Sequence, residues 1–309
     1  RTDPGRRSGG RVTSATFSDR VETWQAQGRM ESFRGHSIHT FYRDGTGPLL
    51  VLLHGFPTSS FDWREFLKVD TKRSVLAFDF LGFGLSDKPR DHSYTLSWQA
   101  DLTEELVLRY GNARPVHVVA HDMGTSVATE LLARDLAGEL NFKLDGVLLS
   151  NGSILTERAN PTLGQKILKG PLGSVATRLM SESFFSHQFR SIFSDQHPVT
   201  DQGVADNWAL LVNNDGNRLG HKLVSYMTER VIYADRWHGA ITNWQGDLRL
   251  AWGMQDPVAL PEVLDGLLEL HPDLPVTRWE DLGHYPQIED PPRFAAAVDE
   301  SMAASGSPL

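Results

Sequence analysis

The stretch from His117 to Leu132 constrains this chain more than any other. Its first half, His117-Val-Val-Ala120, is a short valine-rich run of the kind that forms a strand buried on both faces. Its second half sets Val127, Ala128, Leu131 and Leu132 at helical spacing. Between the two lies Ala120-His121-Asp122-Met123-Gly124, a small–x–nucleophile–x–small pattern. Small outer residues let a strand and a helix approach closely around a sharp turn, which pushes the central side chain out at the helix N-terminus. Here that residue is an aspartate. The partial positive charge and free N–H groups of a helix start hold a carboxylate ionised. Carboxylate attack on an ester gives an anhydride and leads nowhere. Attack on an sp³ carbon bearing a strained or good leaving group gives an alkyl-enzyme ester. The plain alternative is that Asp122 only caps the helix.

The rest of the chain supplies a frame for this turn. Arg29–Phe33 and Ser37–Tyr42 read as a hairpin. Leu49–Leu53 is a continuous apolar strand ending in His54-Gly55-Phe56-Pro57. A helix is predicted over 59–69, with Ser59 or Ser60 as its cap, and a strand over Ser74–Phe80. Residues 95–110 read as an amphipathic helix between Thr95 and Gly111. Leu144–Ser150 and Asp247–Gly253 are further strands, followed by a helix over 261–270, a strand at Val276–Asp281 and a last helix near 292–303. Strands alternating with helices predict a mostly parallel sheet with helices on both faces. Gly82 and Gly84 read as a turn, since the full pattern of a phosphate loop is missing.

From about Ile154 to Trp244 no strong strand run occurs. Irregular helical stretches carry Phe184, Phe185, Phe189, Phe193, Trp208, Tyr226, Tyr233 and Trp237, read as packing residues. The expected division is a flexible tail over 1–20, a core of 21–153 and 246–309, and a helical lid over 154–245. Such a lid covers the carboxyl ends of the strands, where open α/β sheets bind ligands.

Two more residues join Asp122. Asp256 follows the strand that ends at Gly253, and His284 follows the next strand. Alone, an aspartate before a proline is a turn residue and a loop histidine is polar surface. Together, the chain order nucleophile, acid, base and the placement after strands point to a catalytic triad.

Composition narrows the choice of partners. The 309 residues carry a net charge of −9, which speaks against nucleic acid and anionic membranes. No cysteine is present, so disulfides, thiolate zinc sites and a cysteine nucleophile are excluded. No apolar run approaches the roughly 20 residues of a membrane span. The segment Arg1–Arg11 lacks the apolar centre of a signal peptide, so a cytoplasmic location is expected.

With His54–Pro57, Asp79–Pro89, His121–Gly124, Gly253–Asp256 and Gly283-His284 in place, the sequence resembles the epoxide hydrolase and haloalkane dehalogenase group of α/β-hydrolases. Within it, His54–Trp63, Asp79–Pro89, Asn213–Asn217 and His284–Pro291 resemble the branch of the mesoderm-specific transcript protein and its bacterial relatives. The resemblance implies the α/β-hydrolase fold and a cofactor-independent, metal-free enzyme acting on a small apolar electrophile and water. Asp122 would attack an epoxide carbon, and His284, held by Asp256, would activate water against the ester. The backbone N–H groups of Phe56 and Met123 would form the oxyanion hole. Dehalogenases of the group usually carry asparagine and tryptophan where this chain has Phe56 and Met123; Trp208 or Trp237 could supply one N–H instead. Fluoroacetate dehalogenases place an arginine where Met123 stands. Epoxide hydrolases use two lid tyrosines as acids. Tyr226 fits the second, with core filler as its plain reading, and His187 or Tyr233 is left for the first. The reading is an epoxide hydrolase, with a haloalkane dehalogenase or a hydrolase-fold ligand-binding protein as alternatives.

Overall fold

The side chains of strand β3 (Thr46–Leu53) divide between two cores: Leu49, Val51 and Leu53 enter one, Leu50 and Leu52 the other. A strand covered on both faces must be apolar at consecutive positions, which is why this run shows no alternation. In the computed structural model, which describes residues 16–304, β3 is flanked by β4 (Arg73–Phe78) and β5 (Val116–His121). The sheet continues through β6 (Leu144–Ser150), β7 (Asp247–Gly253) and β8 (Val276–Trp279), all parallel. On the other side β2 (His36–Arg43) and β1 (Arg29–Phe33) add antiparallel, giving the order β1-β2-β4-β3-β5-β6-β7-β8. This is the mostly parallel sheet of the α/β-hydrolase fold.

Helices cover both faces. Helix α1 (Asp19–Gln27), α2 (Arg64–Val69) and α14 (Pro291–Ala304) share one core, through Val21, Phe66 and Phe294. Helix α3 (Leu96–Tyr110), α4 (Met123–Leu136) and α12 (Pro261–Leu270) share the other, through Leu102, Leu131 and Leu264. Between β6 and β7 the described residues form helices and turns without a strand: α5 (Leu163–Lys169), α6 (Gly173–Ala176), α7 (Glu182–Arg190), α8 (Asp201–Val212), α9 (Gly220–Leu223), α10 (Tyr226–Ile232) and α11 (Ala234–Asn243). A short α13 (Pro286–Glu289) follows β8.

Several boundaries differ from expectation. The helix over 59–69 is a 3₁₀ turn, Ser60–Trp63, running into α2, with Ser59 as its cap. The stretch expected to be tail reaches too far. Ser18 accepts from the Val21 amide and starts α1, because Val21 and Trp24 have a core to enter; residues 1–15 lie outside those described. Gly82 and Gly84 have φ of 96° and 50°, the conformation of a tight turn. Beside them Asp79 accepts from the amides of Ser60 and Leu85 and fastens that turn to the loop after β3. No helix among the described residues is long and apolar enough to cross a membrane.

Candidate active site

Asp122 stands between the last residue of β5 and the first of α4, at φ 48° and ψ −112°. A side chain in that region costs on the order of 1–3 kcal/mol, so the surroundings must hold it. The Asp122 amide donates to the Ser150 carbonyl at 3.3 Å, and the Asp122 carbonyl accepts from the Thr125 amide and hydroxyl. Glycine is required on both sides. A methyl group on Gly124 would fall 2.5 Å from the Leu53 carbonyl oxygen, and one on Gly55 would strike the Asp122 side chain. Asp122 does not cap α4; its side chain makes no capping bond. Instead Oδ1 accepts from the Phe56 amide at 2.8 Å. Of the two amides expected at this place, Phe56 meets the carboxylate. Met123 is buried at the start of α4, and among the described residues its amide makes no bond to that side chain.

Asp122 Oδ2 lies 3.8 Å from His284 Nε2, and His284 Nδ1 donates to Asp256 Oδ2 at 2.7 Å. All three residues are buried. Burial works against a protonated His284, but the carboxylates of Asp256 and Asp122 outweigh it, and the imidazole is held above its ordinary pKa. Asp256 is itself fixed: Oδ1 accepts from the amides of Val258 and Ala259, and Oδ2 also accepts from Asn151 Nδ2 at 2.8 Å. The Asn151 side-chain oxygen accepts from the Gly253 amide, so Asn151 ties the end of β6 to the end of β7. His121 adds a brace, with Nε2 at 2.7 Å from the His284 carbonyl. Burial and the neighbouring His284 push His121 down to about 3, so at neutral pH it is a neutral ring whose Nε2–H donates.

The helical segment between β6 and β7, expected as the lid, contributes Tyr226, fully buried and 5.7 Å, centroid to centroid, from the Phe56 ring. Its phenol is approached by Gln165, whose two ends have separate tasks. Oε1 accepts from the Thr162 amide, closing a capping box at the start of α5, so the amide group must present Nε2 to the Tyr226 oxygen at 3.0 Å. The phenol oxygen is therefore an acceptor from Gln165, and its own proton is uncommitted among the described residues. Burial and the charge of Asp122 raise Tyr226 well above an ordinary phenol, with Arg230 opposing, so it stays protonated at neutral pH. Arg230, four residues on along α10, is also buried. Its guanidinium lies 4.6 Å from the Tyr226 ring centroid and donates to the Ser126 hydroxyl and the Asp122 carbonyl.

The other lid donors are placed elsewhere. His187 is exposed, because Phe184, Phe185, Gln188 and Phe189 take the inward face of α7. Tyr233 is 44% exposed, at the end of α10, and leans on Trp237. Trp237 gives its indole N–H to Glu130, and Trp208 packs beside Phe185. Neither His187 nor Tyr233 joins Tyr226, so a second lid acid is not assembled from them. The gap beside Tyr226 is filled by Gln165, which carries no proton to give at neutral pH.

A cleft between lid and core is walled by Phe56, Leu168, Phe184, Phe185, Phe189, Ile192, Leu223 and Val258, with His284 at its wall. It is apolar, as a site for a small apolar molecule should be. The aromatic lid residues thus divide, some into this wall and some, such as Phe193 stacked on Tyr285, into packing. No group of three or more histidine or acidic side chains suited to a metal occurs among the described residues. Asn151, Arg230, Gln165 and His121 were not singled out as site residues by the sequence. Two signals were present: the Thr162–Gln165 capping pattern and the four-residue spacing that puts Arg230 on the Tyr226 face.

Comparison with known proteins places the chain among the alpha/beta hydrolases. A family model described as the alpha/beta hydrolase family matches residues 50–297. The hydrolase LipZ of Mycobacterium tuberculosis is 48% identical over 283 residues, 91% of this chain and 97% of that protein. The mesoderm-specific transcript protein of Mus musculus is 37% identical over 296 residues, 91% of this chain and 87% of that protein. Among solved structures, an alpha/beta hydrolase fold protein from Burkholderia ambifaria matches with a TM-score of 0.73 at 22% identity, over 88% of this chain and 97% of that one. Haloalkane dehalogenases and an epoxide hydrolase share the same fold.

Proposed function

The chain belongs to the alpha/beta hydrolase family, and from that premise we propose that it is an epoxide hydrolase with Asp122 as its nucleophile. One observation carries the reading. The Asp122 carboxylate has one oxygen on the Phe56 amide and the other facing His284, and a buried phenol with an uncommitted proton, Tyr226, packs beside the Phe56 ring.

Asp122 Oδ2 attacks the epoxide carbon, the ring C–O bond breaks, and Tyr226 gives its proton to the leaving oxygen. The product is an alkyl ester of Asp122. Esterification removes the Asp122 charge, one of those that raise His284, so the imidazole is more fully neutral when it must accept a proton from water. The hydroxide equivalent adds to the ester carbonyl. The negative oxygen forms at the Phe56 amide, with the Met123 amide as the second donor. Collapse breaks the bond between the carbonyl carbon and Oδ2 and releases the diol; the imidazolium gives its proton to the leaving alkoxide, and the proton left on the Asp122 carboxyl returns to the Tyr226 phenolate. The new carboxylate keeps one oxygen from water. Phe56 and Met123 offer no side-chain donor for a halide, and Trp237 is already bonded to Glu130. This favours the epoxide over the haloalkane.

The test is intact-mass spectrometry on His284→Gln, which should alkylate but fail to hydrolyse. A single adduct of the mass of styrene oxide, mapped to the Asp122 peptide, is the expected result. Turnover near the wild-type rate with no adduct overturns the assignment. Halide release from a bromoalkane without diol formation points to a dehalogenase, and a ligand-induced melting shift without turnover points to a binding protein.

A further inference from the structure

Eight of the twelve large apolar residues exposed among the described residues lie on the helical segment between β6 and β7. Five of them fall between Leu163 and Leu179. Leu163 and Ile167 are four apart on α5 and share its outward face, and Leu172, Val175 and Leu179 follow on and around α6, each exposed. Leu172 is 71% exposed and Leu179 76%. Val231 joins them, lining the same surface cleft as Pro161 and Lys169. Patches of this kind on a folded chain mark a contact surface.

The charge of the patch identifies the partner. Residues 158–181 hold four basic side chains and no acidic one, in a chain of net charge −9. Arg158 pairs with Glu269, but Lys166, Lys169 and Arg178 are exposed and have no carboxylate partner among the described residues. The net charge spoke against anionic membranes, but charges act over about a Debye length, roughly 8–10 Å at physiological salt, so a local basic face decides. A second copy of this chain is disfavoured, because a two-fold interface on this face would set the same three cations against one another. Exposed apolar side chains interspersed with lysine and arginine that have no carboxylate partner match an anionic bilayer surface, with the side chains in the acyl boundary and the cations at the headgroups.

We propose that the outer face of α5, α6 and the turn after them is a docking surface for anionic lipid. The position is useful: Gly164, Leu168 and Met180, between the exposed residues, line the cleft that leads to His284. Docking therefore sets the helices that wall the cleft against the bilayer, where an apolar substrate dissolves. The docking itself does not depend on the epoxide reading.

The experiment is flotation of the full chain with phosphatidylcholine vesicles with and without about 30% phosphatidylserine, at physiological salt. Wild type should float with the anionic vesicles and far less with the neutral ones. Lys166→Glu/Lys169→Glu/Arg178→Glu should bind at least ~100-fold more weakly, at roughly 5-fold per charge removed. Leu172→Ser/Leu179→Ser should stay in the soluble fraction, with its circular dichroism and its turnover of a water-soluble substrate unchanged. Failure of wild type to float on anionic vesicles overturns the proposal, and so does equal binding by the charge variant. Concentration-dependent dimerisation that the leucine variant abolishes, without vesicle binding, overturns it in favour of self-association.

Discussion

Tyr226 shows how one residue's chemistry is set by its neighbours. A phenol alone could donate or accept toward Gln165. The capping box fixes which end of the glutamine faces it, and this leaves the phenol proton for another acceptor. On the proposed mechanism Tyr226→Phe should slow alkylation by an epoxide about 10²–10⁴-fold, the usual value of a general acid. Alkylation by a bromoalkane needs no proton and should hardly change. Pre-steady-state quench of both substrate classes reads this directly, and an unchanged epoxide rate removes Tyr226 from the chemistry. Arg230 has a different part. It reaches the Asp122 carbonyl and the Tyr226 ring from the lid, so it positions both and touches no reacting atom.

At the scale of elements, the site is the meeting of β5 and α4 with the loop after β3. The approach is set by Gly124, packed on the carbonyl oxygens of Leu53 and His54. Gly124→Ala must push α4 outward, moving Asp122 from the Phe56 amide. The cost of such overpacking is about 1–3 kcal/mol. Urea unfolding should show that loss, and activity should fall more than stability explains. A variant with wild-type midpoint and activity would mean the helix has slack that the structure does not show. The lid is fastened to the same helix on its far side. Glu130 of α4 accepts from Arg236 and from the Trp237 indole of α11, and both lid residues thereby fix where the helices over the site return to the core. Exposed ion pairs contribute little, but this carboxylate is mostly buried and takes three donors, counting Arg134.

At the scale of the molecule, β5 is also tied to the chain's last helix. His117 Nε2 lies 2.9 Å from the Ser301 hydroxyl, and burial pushes the imidazole down to about 4. The unfolded chain takes up this proton near pH 6.5, while the folded chain refuses it until about pH 4. This contribution to stability is complete above 6.5 and is lost as pH falls through that window. The slope is about 1.4 kcal/mol per pH unit for one such group. Replacing His117 by Asn keeps a partner for Ser301 and removes the titration. Urea midpoints across pH 6.5 to 4 should therefore fall less steeply in His117→Asn than in wild type. Equal slopes would show that His117 is protonated in the native state.

The sequence alone carried the sheet, because burial on both faces leaves apolar runs at Leu49–Leu53, Val118–Ala120 and Val147–Leu149 that nothing else explains. It carried the elbow, because close approach of strand and helix demands Gly124 and a small Ala120. The order of Asp122, Asp256 and His284 was legible since each follows a strand, and parallel strands bring those ends together. What followed from no local pattern was the lid. Its helices are short and irregular, so which side of each faces inward depends on contacts far away in the chain. By sequence, Tyr226 took one lid position and His187 or Tyr233 was left for the other. Only the packing of Phe185 and Phe189 against the core turned His187 outward, and only the Arg230 and Gln165 contacts drew Tyr226 in. The ends of the first helix were decided in the same way, by whether Val21 and Trp24 had a core to enter. Strand burial is written into consecutive residues, whereas the facing of a short helix is settled by its partners, and those are known only once the chain is folded.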